Sequence, residues 1–289
     1  MPIEIIGQGA VSGLFLGGIL ALIALGLTLI WGVMGVLNMA HANFVMVAMF
    51  IGYFLVDALG IHPYFLLPLL IVLLFVLGMV VMQLLIKPTA RVSHEHALLM
   101  TMALMIFLES AMTVLMSQTS FLDQYAIDPK YWLPSLKFGG ITIDLSAASA
   151  FAGSILMALL LFWFIRKTDT GRSIRACAEN ARVAGLMGIN VGRTQAIAFG
   201  VGIACTAAAA VYTITPQIGD QFLPPIFVIV ALGGIGNFMG TLIAGFIIGV
   251  AEGVAGVFIP GPLVPAVGLG ILVVVLLARP EGLFGERGL

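Results

Sequence analysis

Five polar or ionisable side chains sit where an apolar chain has little reason to carry them. Asn38, His41 and Asn43 fall in NMAHAN between two long apolar runs, Glu109 lies mid-run in IFLESAM, and Glu252 lies far along a later run. A charge at the centre of a bilayer costs about 2.5–3.5 kcal/mol on insertion scales, so each is a candidate for a solute path. His41 has three roles open to it: a gate, a hydrogen bond to broken backbone, or a place at the inner interface. Glu109 is protonated, paired with a neighbouring helix, or in contact with solute. Glu252, about 20 Å along its helix from Met239, stands toward the outer side as a rim contact or a buried hydrogen bond. His94-Glu95-His96 invites a metal, but it lacks HExxH spacing and has no Cys or Asp cluster nearby, so it reads as a loop end. No metal site is expected. The 15 methionines fit gap-filling between helices, and Cys177 and Cys205 are most simply free thiols.

A second set of residues is basic. Six of the twelve Lys and Arg fall between Arg166 and Arg193, in a chain with only 9% charged residues. If Arg172–Arg182 is one helix, Arg172, Arg175, Glu179 and Arg182 share a face, with Ile174, Cys177, Ala181 and Ala184 opposite. Asn180 is also a helix N-cap and Gly188 a C′ residue, so Ala181–Met187 can instead be a separate short helix. A loop that only sets topology needs Lys and Arg alone. This one adds caps and an Ala/Gly/Leu/Met surface, the pattern of a docking segment.

The elements that position these residues must be membrane helices. Apolar residues make up 61% of 289 positions, mean hydropathy is +1.19, and no Asp, Glu, Lys or Arg occurs from Ile5 to Val56. That run is long enough for two crossings. No basic n-region precedes it, so the first run is expected to stay as a membrane helix. Basic loops remain cytoplasmic, which places 166–193, 87–96 and the tail from Arg279 inside. The loop Gln118–Ile143, with Asp123, Asp128, Lys130 and Lys137, has no basic excess and belongs outside; Lys130-Tyr131-Trp132 there fits interfacial anchoring. Spans near 63–86, 97–116 and 145–165 then alternate, with the amino terminus outside and the carboxyl terminus inside. Thr194–Pro216 crosses outward, and three short passes fit in the remaining apolar stretch. The fold expected is an all-α polytopic bundle of about eight or nine passes, in one domain over 1–289. Phe222–Gly236 is too short for a full pass, as a broken or re-entrant helix would be.

Two glycine-interrupted places resemble each other: Gly32–Gly35 followed by Asn38, and Gly233–Gly236 followed by Asn237. Paired breaks of this kind mark a translocation path in many transporters, although a chain with 35 glycines also has ordinary turns. Gly13 and Gly17, and Gly245, Gly249 and Gly253, have the spacing that lets helices approach closely.

Four blocks together resemble one family: GLTLIWGVMGVLNMAHANF (Gly26–Phe44), GRSIRACAENARVAGLMGIN (Gly171–Asn190), ALGGIGNFMGTLIAGFIIGVAEG (Ala231–Gly253) and RPEGLFG (Arg279–Gly285). They are similar to the permease subunits of branched-chain amino acid ABC transporters of the leucine/isoleucine/valine type. The resemblance implies that Ala176–Gly188, with Arg172, Arg175, Ala176, Glu179, Asn180, Ala184, Leu186 and Gly188, is the segment that docks into an ATPase groove. It would be a variant of the EAA loop of ABC permeases, departing from the general pattern in detail. It further implies a second homologous permease, two ATP-binding cassette subunits and a periplasmic binding protein as partners, in a bacterial inner membrane.

The chain has no GxxxxGK[ST] and no Gly-Lys pair, so no Walker A loop can hold ATP here; ATP and Mg belong to the partners and no cofactor is expected on this chain. It has no nucleophile elbow either and is not expected to be an enzyme. The rival is a secondary transporter or passive facilitator, which needs intramembrane charges to couple an ion gradient. Only Glu109 and Glu252 qualify. The solute remains open, since relatives of this type also carry other amino acids, urea, amides and aromatic acids.

Overall fold

The longest apolar run becomes the hub of the molecule. α1 spans Ile3–Met34 and is apolar all round, and a helix without a polar face must be enclosed by others. In the computed structural model, which describes residues 3–118, 133–138, 140–209 and 218–285, Gly17 to Ile30 of α1 are all buried. Its neighbours are α6 (Leu145–Lys167), α8 (Val191–Ala204), α9 (Ile218–Gly233) and α10 (Phe238–Ala255). The tightest contact is with α10, which runs antiparallel. A Cβ on Gly17 would stand 2.7 Å from the Gly245 carbonyl oxygen and 2.9 Å from Gly249 Cα, and Gly13 meets Gly249 and Gly253 in the same way. The two small-residue series in the sequence are therefore the two halves of one seam.

Toward the Gly35 end of this seam, buried Thr28 and Thr241 join their hydroxyls at 2.9 Å. Thr241 also donates to the Asn237 carbonyl, 2.9 Å away, so Thr28 is the donor between the two. Thr28→Val should cost about 1 kcal/mol, and Thr241→Val more because it loses both bonds. Thermal unfolding in detergent, compared for the two single variants, checks this order.

The remaining spans are α2 (His41–Leu59), α3 (Pro63–Val81), α5 (His94–Gln118) and α11 (Val264–Ala278). α3 continues through a π segment, Met82–Ile86, into α4 (Lys87–Ala90). Pro88 has no N–H to give to the carbonyl four residues back, and the helical ladder slips to wider spacing just before it. Among the described residues seven helices are long and apolar enough to cross a membrane, and α9 is a shorter apolar one. α8, extended by a 3-10 turn over Cys205–Ala209, completes a set that agrees with eight to nine passes.

The all-helical expectation misses a hairpin. β1 (Ser135–Phe138) pairs antiparallel with β2 (Ile141–Asp144), and Gln8 at the start of α1 holds it by accepting from Thr142 N at 2.7 Å and donating to Thr142 O at 2.9 Å. Asp144 then caps α6, accepting from Ser146 N at 2.8 Å. The rest of that loop, with Asp123, Asp128 and Lys130-Tyr131-Trp132, lies outside the described residues, as does the end of the Thr194–Pro216 segment.

Between α1 and α2 the chain re-enters the bundle. α1 ends at Gly35, in the left-handed region (φ 66°) that favours glycine. Residues 35–40 are mostly non-helical, yet His41 Nε2 lies 2.9 Å from the carbonyl of Ile23, twelve residues back from Gly35 along α1. Those twelve residues span about 18 Å of helix axis. Residues 35–40, which turn at Met39 and Ala40, and the reach of the His41 side chain together cover that distance. α2 thus begins deep inside the bundle.

Candidate functional site

Two places carry the polar chemistry. The first is the buried start of α2. Asn38, His41 and Asn43 are 0–1% exposed, and the climbing backbone needs partners at this depth. Thr101 on α5 supplies one: its hydroxyl accepts from Met39 N at 3.2 Å, while its proton is shared between Leu98 O of its own helix at 2.8 Å and Leu37 O at 3.3 Å. Asn43 Nδ2 donates weakly to the Met105 carbonyl at 3.5 Å, and its amide sits against Gly219 in the first turn of α9. Both ends of Asn38, Nδ1 of His41 and Oδ1 of Asn43 have no partner among the described residues. Of the alternatives for His41, the bond to Ile23 identifies backbone satisfaction as its role in this conformation.

Thr101, Met105 and Glu109 follow at four-residue spacing along α5, so Glu109, half-buried, stands one turn beyond the Asn43 contact on the same face. The structure therefore brings Asn38, His41 and Asn43 together at one buried start, with Glu109 one turn away along α5. Asn237 and Glu252 stand apart. Asn237 is occupied at both ends of its amide: Oδ1 accepts from Gly240 N at 2.9 Å as the cap of α10, and Nδ2 donates to Phe284 O at 2.7 Å. It is a structural clasp on the carboxyl-terminal segment and also stands on the wall of a cavity beside the Gly236 break. Asn237→Ala should cost about 1–2 kcal/mol. It should also speed cleavage after Glu281, visible as loss of the terminal peptide in limited digestion with a glutamate-specific protease. Glu252, near the other end of α10, is 8% exposed with Oε1 against Gly268 of α11. It is turned from the surface, and its Oε1 has no hydrogen-bond partner among the described residues. The two Gly-broken places do meet, since a Cβ on Gly32 would lie 3.4 Å from Gly236 Cα.

The second place is α7 (Asp169–Leu186), and here the segment divides as one of the two alternatives has it. Thr168 caps the start, accepting from Gly171 N at 3.0 Å. Asn180 leaves helical geometry (φ −159°, ψ 100°) and its Oδ1 accepts from Val183 N at 3.0 Å, capping a second short helix. That helix closes in a Schellman motif: Ile189 N–H bonds to Ala184 O and Gly188 N–H to Gly185 O, both at 3.1 Å, with Gly188 at φ 86°.

Arg172, Arg175, Glu179 and Arg182 are exposed, and Arg172 pairs with Asp169 at the surface. Ile174, Cys177 and Ala184 are buried against the bundle and Ala176 is half-buried. Ala184 therefore seats the helix on its own chain and is not open to a partner. Burial raises the Cys177 thiol above its ordinary range, opposed in part by a hydrogen bond with Thr194. Leu186 and Met187 are 82% and 79% exposed, with Val183 beside them. Val183 escaped the sequence reading, which counted Leu186 and Met187 in the docking surface, although its i, i+3, i+4 relation to those two completes an apolar stripe in a polar segment.

A cavity of about 780 Å³ opens between α7, the end of α1 and the start of α10, walled by Arg175 and Glu179 of α7, Arg166 of α6, and the Gly32–Gly35 and Gly236–Asn237 breaks. His94-Glu95-His96 forms the start of α5, where Ser93 Oγ lies 2.8 Å from His96 Nδ1. Among the described residues no three His, Cys, Asp or Glu come together as a metal site would need.

The model of the branched-chain amino acid transport system permease component matches residues 9–278. The chain belongs to this permease family. It is 29% identical to the high-affinity branched-chain amino acid transport system permease protein LivH of Salmonella typhimurium, over 96% of this chain and 95% of that protein. To BraD of Pseudomonas aeruginosa, of the same description, it is 31% identical over the same shares. A shorter match, 30% identical over 46% of this chain and 44% of the other, reaches the autoinducer 2 import system permease protein LsrD of Escherichia coli. The permease is a multi-pass membrane protein, and its relatives are transport components rather than enzymes.

Proposed function

We propose that this permease forms half of the translocation path of an ATP-driven importer for branched-chain or closely related amino acids, acting as one domain over residues 1–289. Its partners are a second homologous permease, two ATP-binding cassette subunits that use ATP and Mg, and a periplasmic binding protein, in the bacterial inner membrane. The amino terminus is periplasmic and the carboxyl terminus cytoplasmic, as the basic segments require.

The observation that carries this reading is the exposed Val183, Leu186 and Met187 face on a doubly capped helix that is not one of the apolar spans. Apolar side chains at that exposure call for a partner surface. Arg172, Arg175, Glu179 and Arg182 surround the face with charge, and Asn180 and Gly188 fix its two ends. ATP binding pushes α7; the push passes to the ends of α1 and α10, and the buried start of α2, with Asn38, His41, Asn43 and Glu109, opens as the solute path. The unpartnered atoms at that start then receive water or solute.

Uptake by the complete assembly in proteoliposomes, with a panel of labelled amino acids, tests the solute class. Leucine, isoleucine and valine should compete with one another. Competition by lysine or glutamate instead would reject the apolar assignment.

A further inference from the structure

A second cavity, of about 560 Å³, opens between the Gly35 end of α1, α4, the start of α5 and the start of α8, and the transport reading makes no use of it. Lys87, Arg91 and His94 are on its wall, and no carboxylate is. Lys87 and Arg91 thus face one space at i, i+4, with His94 beyond the turn that leads into α5, and like charges at i, i+4 destabilise one another. Among the described residues the side chains of Lys87 and Arg91 have no ion pair or hydrogen bond.

The backbone does not supply the missing charge. The last carbonyls of α1, at Val33 and Met34, bring about half a negative charge, and the first turn of α8 brings about half a positive one. Lys87 is placed against that positive end: its Nζ is 3.1 Å from where a Cβ of Gly192 would be. A lysine at a helix N-terminus has the wrong sign for the dipole unless an anion lies between them. The Arg193 amide is taken by the Asn190 cap at 3.0 Å, but Gly192, having no side chain, leaves its own amide and that of Val191 open to such an anion, with the Asn190 and Gln195 side chains on the same wall.

We propose that this cleft binds a phosphate group, carried either by an acidic phospholipid headgroup or by free phosphate. Arginine, lysine and the amides of a helix start are the set that recognises tetrahedral oxyanions. The cleft sits where the apolar span 63–90 ends, at the level of lipid headgroups. Ala181, on the second half of α7, closes the wall, so an occupied cleft ties α4 and α5 to the docking segment.

The test uses the full-length chain in the assembly with which it purifies. Native mass spectrometry in phosphatidylglycerol nanodiscs counts retained lipid, and radiolabelled inorganic phosphate is titrated in nanodiscs of phosphatidylcholine alone. One of the two should bind saturably, and which one identifies the source. Lys87→Gln with Arg91→Gln should weaken it about thirtyfold. Lys87→Arg with Arg91→Lys should retain it, which separates charge from folding, and Lys167→Gln, away from the cleft, should leave it unchanged. Binding of neither anion, or equal binding by native chain and the Gln pair, overturns the proposal. So does binding seen only after partner subunits are stripped away, since partner carboxylates then fill the cleft.

Discussion

Leu186→Asp with Met187→Asp should abolish retention of the ATPase subunits and reduce uptake to background, while the chain still inserts in the membrane. These two side chains are 82% and 79% exposed, so nothing in the chain's own packing depends on them. Burying each in a partner groove is worth about 1.5–3 kcal/mol, and losing both lowers association by roughly a hundredfold to ten-thousandfold. A buried, unpaired aspartate adds to the loss. Arg175→Glu should act in the same direction, since it reverses a charge beside the face and on the wall of the cavity leading to α1. Ala184→Trp is a poor probe of docking because Ala184 is buried and a larger side chain there lifts the helix from its own bundle. Co-purification of tagged permease with its ATPase reads the result, with membrane-fraction yield as the control. Unchanged retention in the double aspartate variant would remove α7 as the docking segment.

The other large effect lies in the α1–α10 seam. Gly249→Leu should prevent accumulation of folded permease, because even a Cβ at this position collides with Gly17 Cα and the Gly13 carbonyl. Overpacking an ordinary core costs about 1–3 kcal/mol, and backbone, unlike a side chain, has no rotamer through which to yield. Gly153→Leu and Gly270→Leu are the matched controls, since nothing lies within 4 Å of a Cβ at either site. They should leave folding and uptake near native. Fluorescence-detected size exclusion of the solubilised variants separates the two classes. A monodisperse Gly249→Leu protein with native yield would mean that the seam is looser than described.

What was legible in the sequence is what local chemistry dictates. The caps at Asn180 and Gly188, the short α9 and the close-packing glycines all follow from residue type and spacing. The sequence could not say that Gly13 and Gly17 meet Gly245, Gly249 and Gly253, because spacing identifies a small-residue face but not its partner. The clasp role of Asn237 was hidden for the same reason: the carbonyl it holds is 47 residues away, at Phe284. Thr101 was passed over as one threonine in an apolar helix, yet it bonds to the backbone that lets α2 start at depth. The 133–144 hairpin was read as loop, because four-residue strands carry too little alternation to register and its anchor, Gln8, is far away in sequence. Ala184 shows a subtler limit. Helical periodicity separates an apolar face from a charged one but does not tell whether the apolar face meets a partner or the chain's own bundle.

The central claim is that this permease moves solute only under the force of a separate ATPase. Reconstitute it in proteoliposomes alone, and with its second permease, ATPase subunits and binding protein, and follow accumulation of labelled leucine with and without ATP. The expected result is ATP-dependent accumulation by the complete assembly and none by the permease alone. Leucine movement through the permease alone, without ATP, would contradict it and restore the facilitator reading.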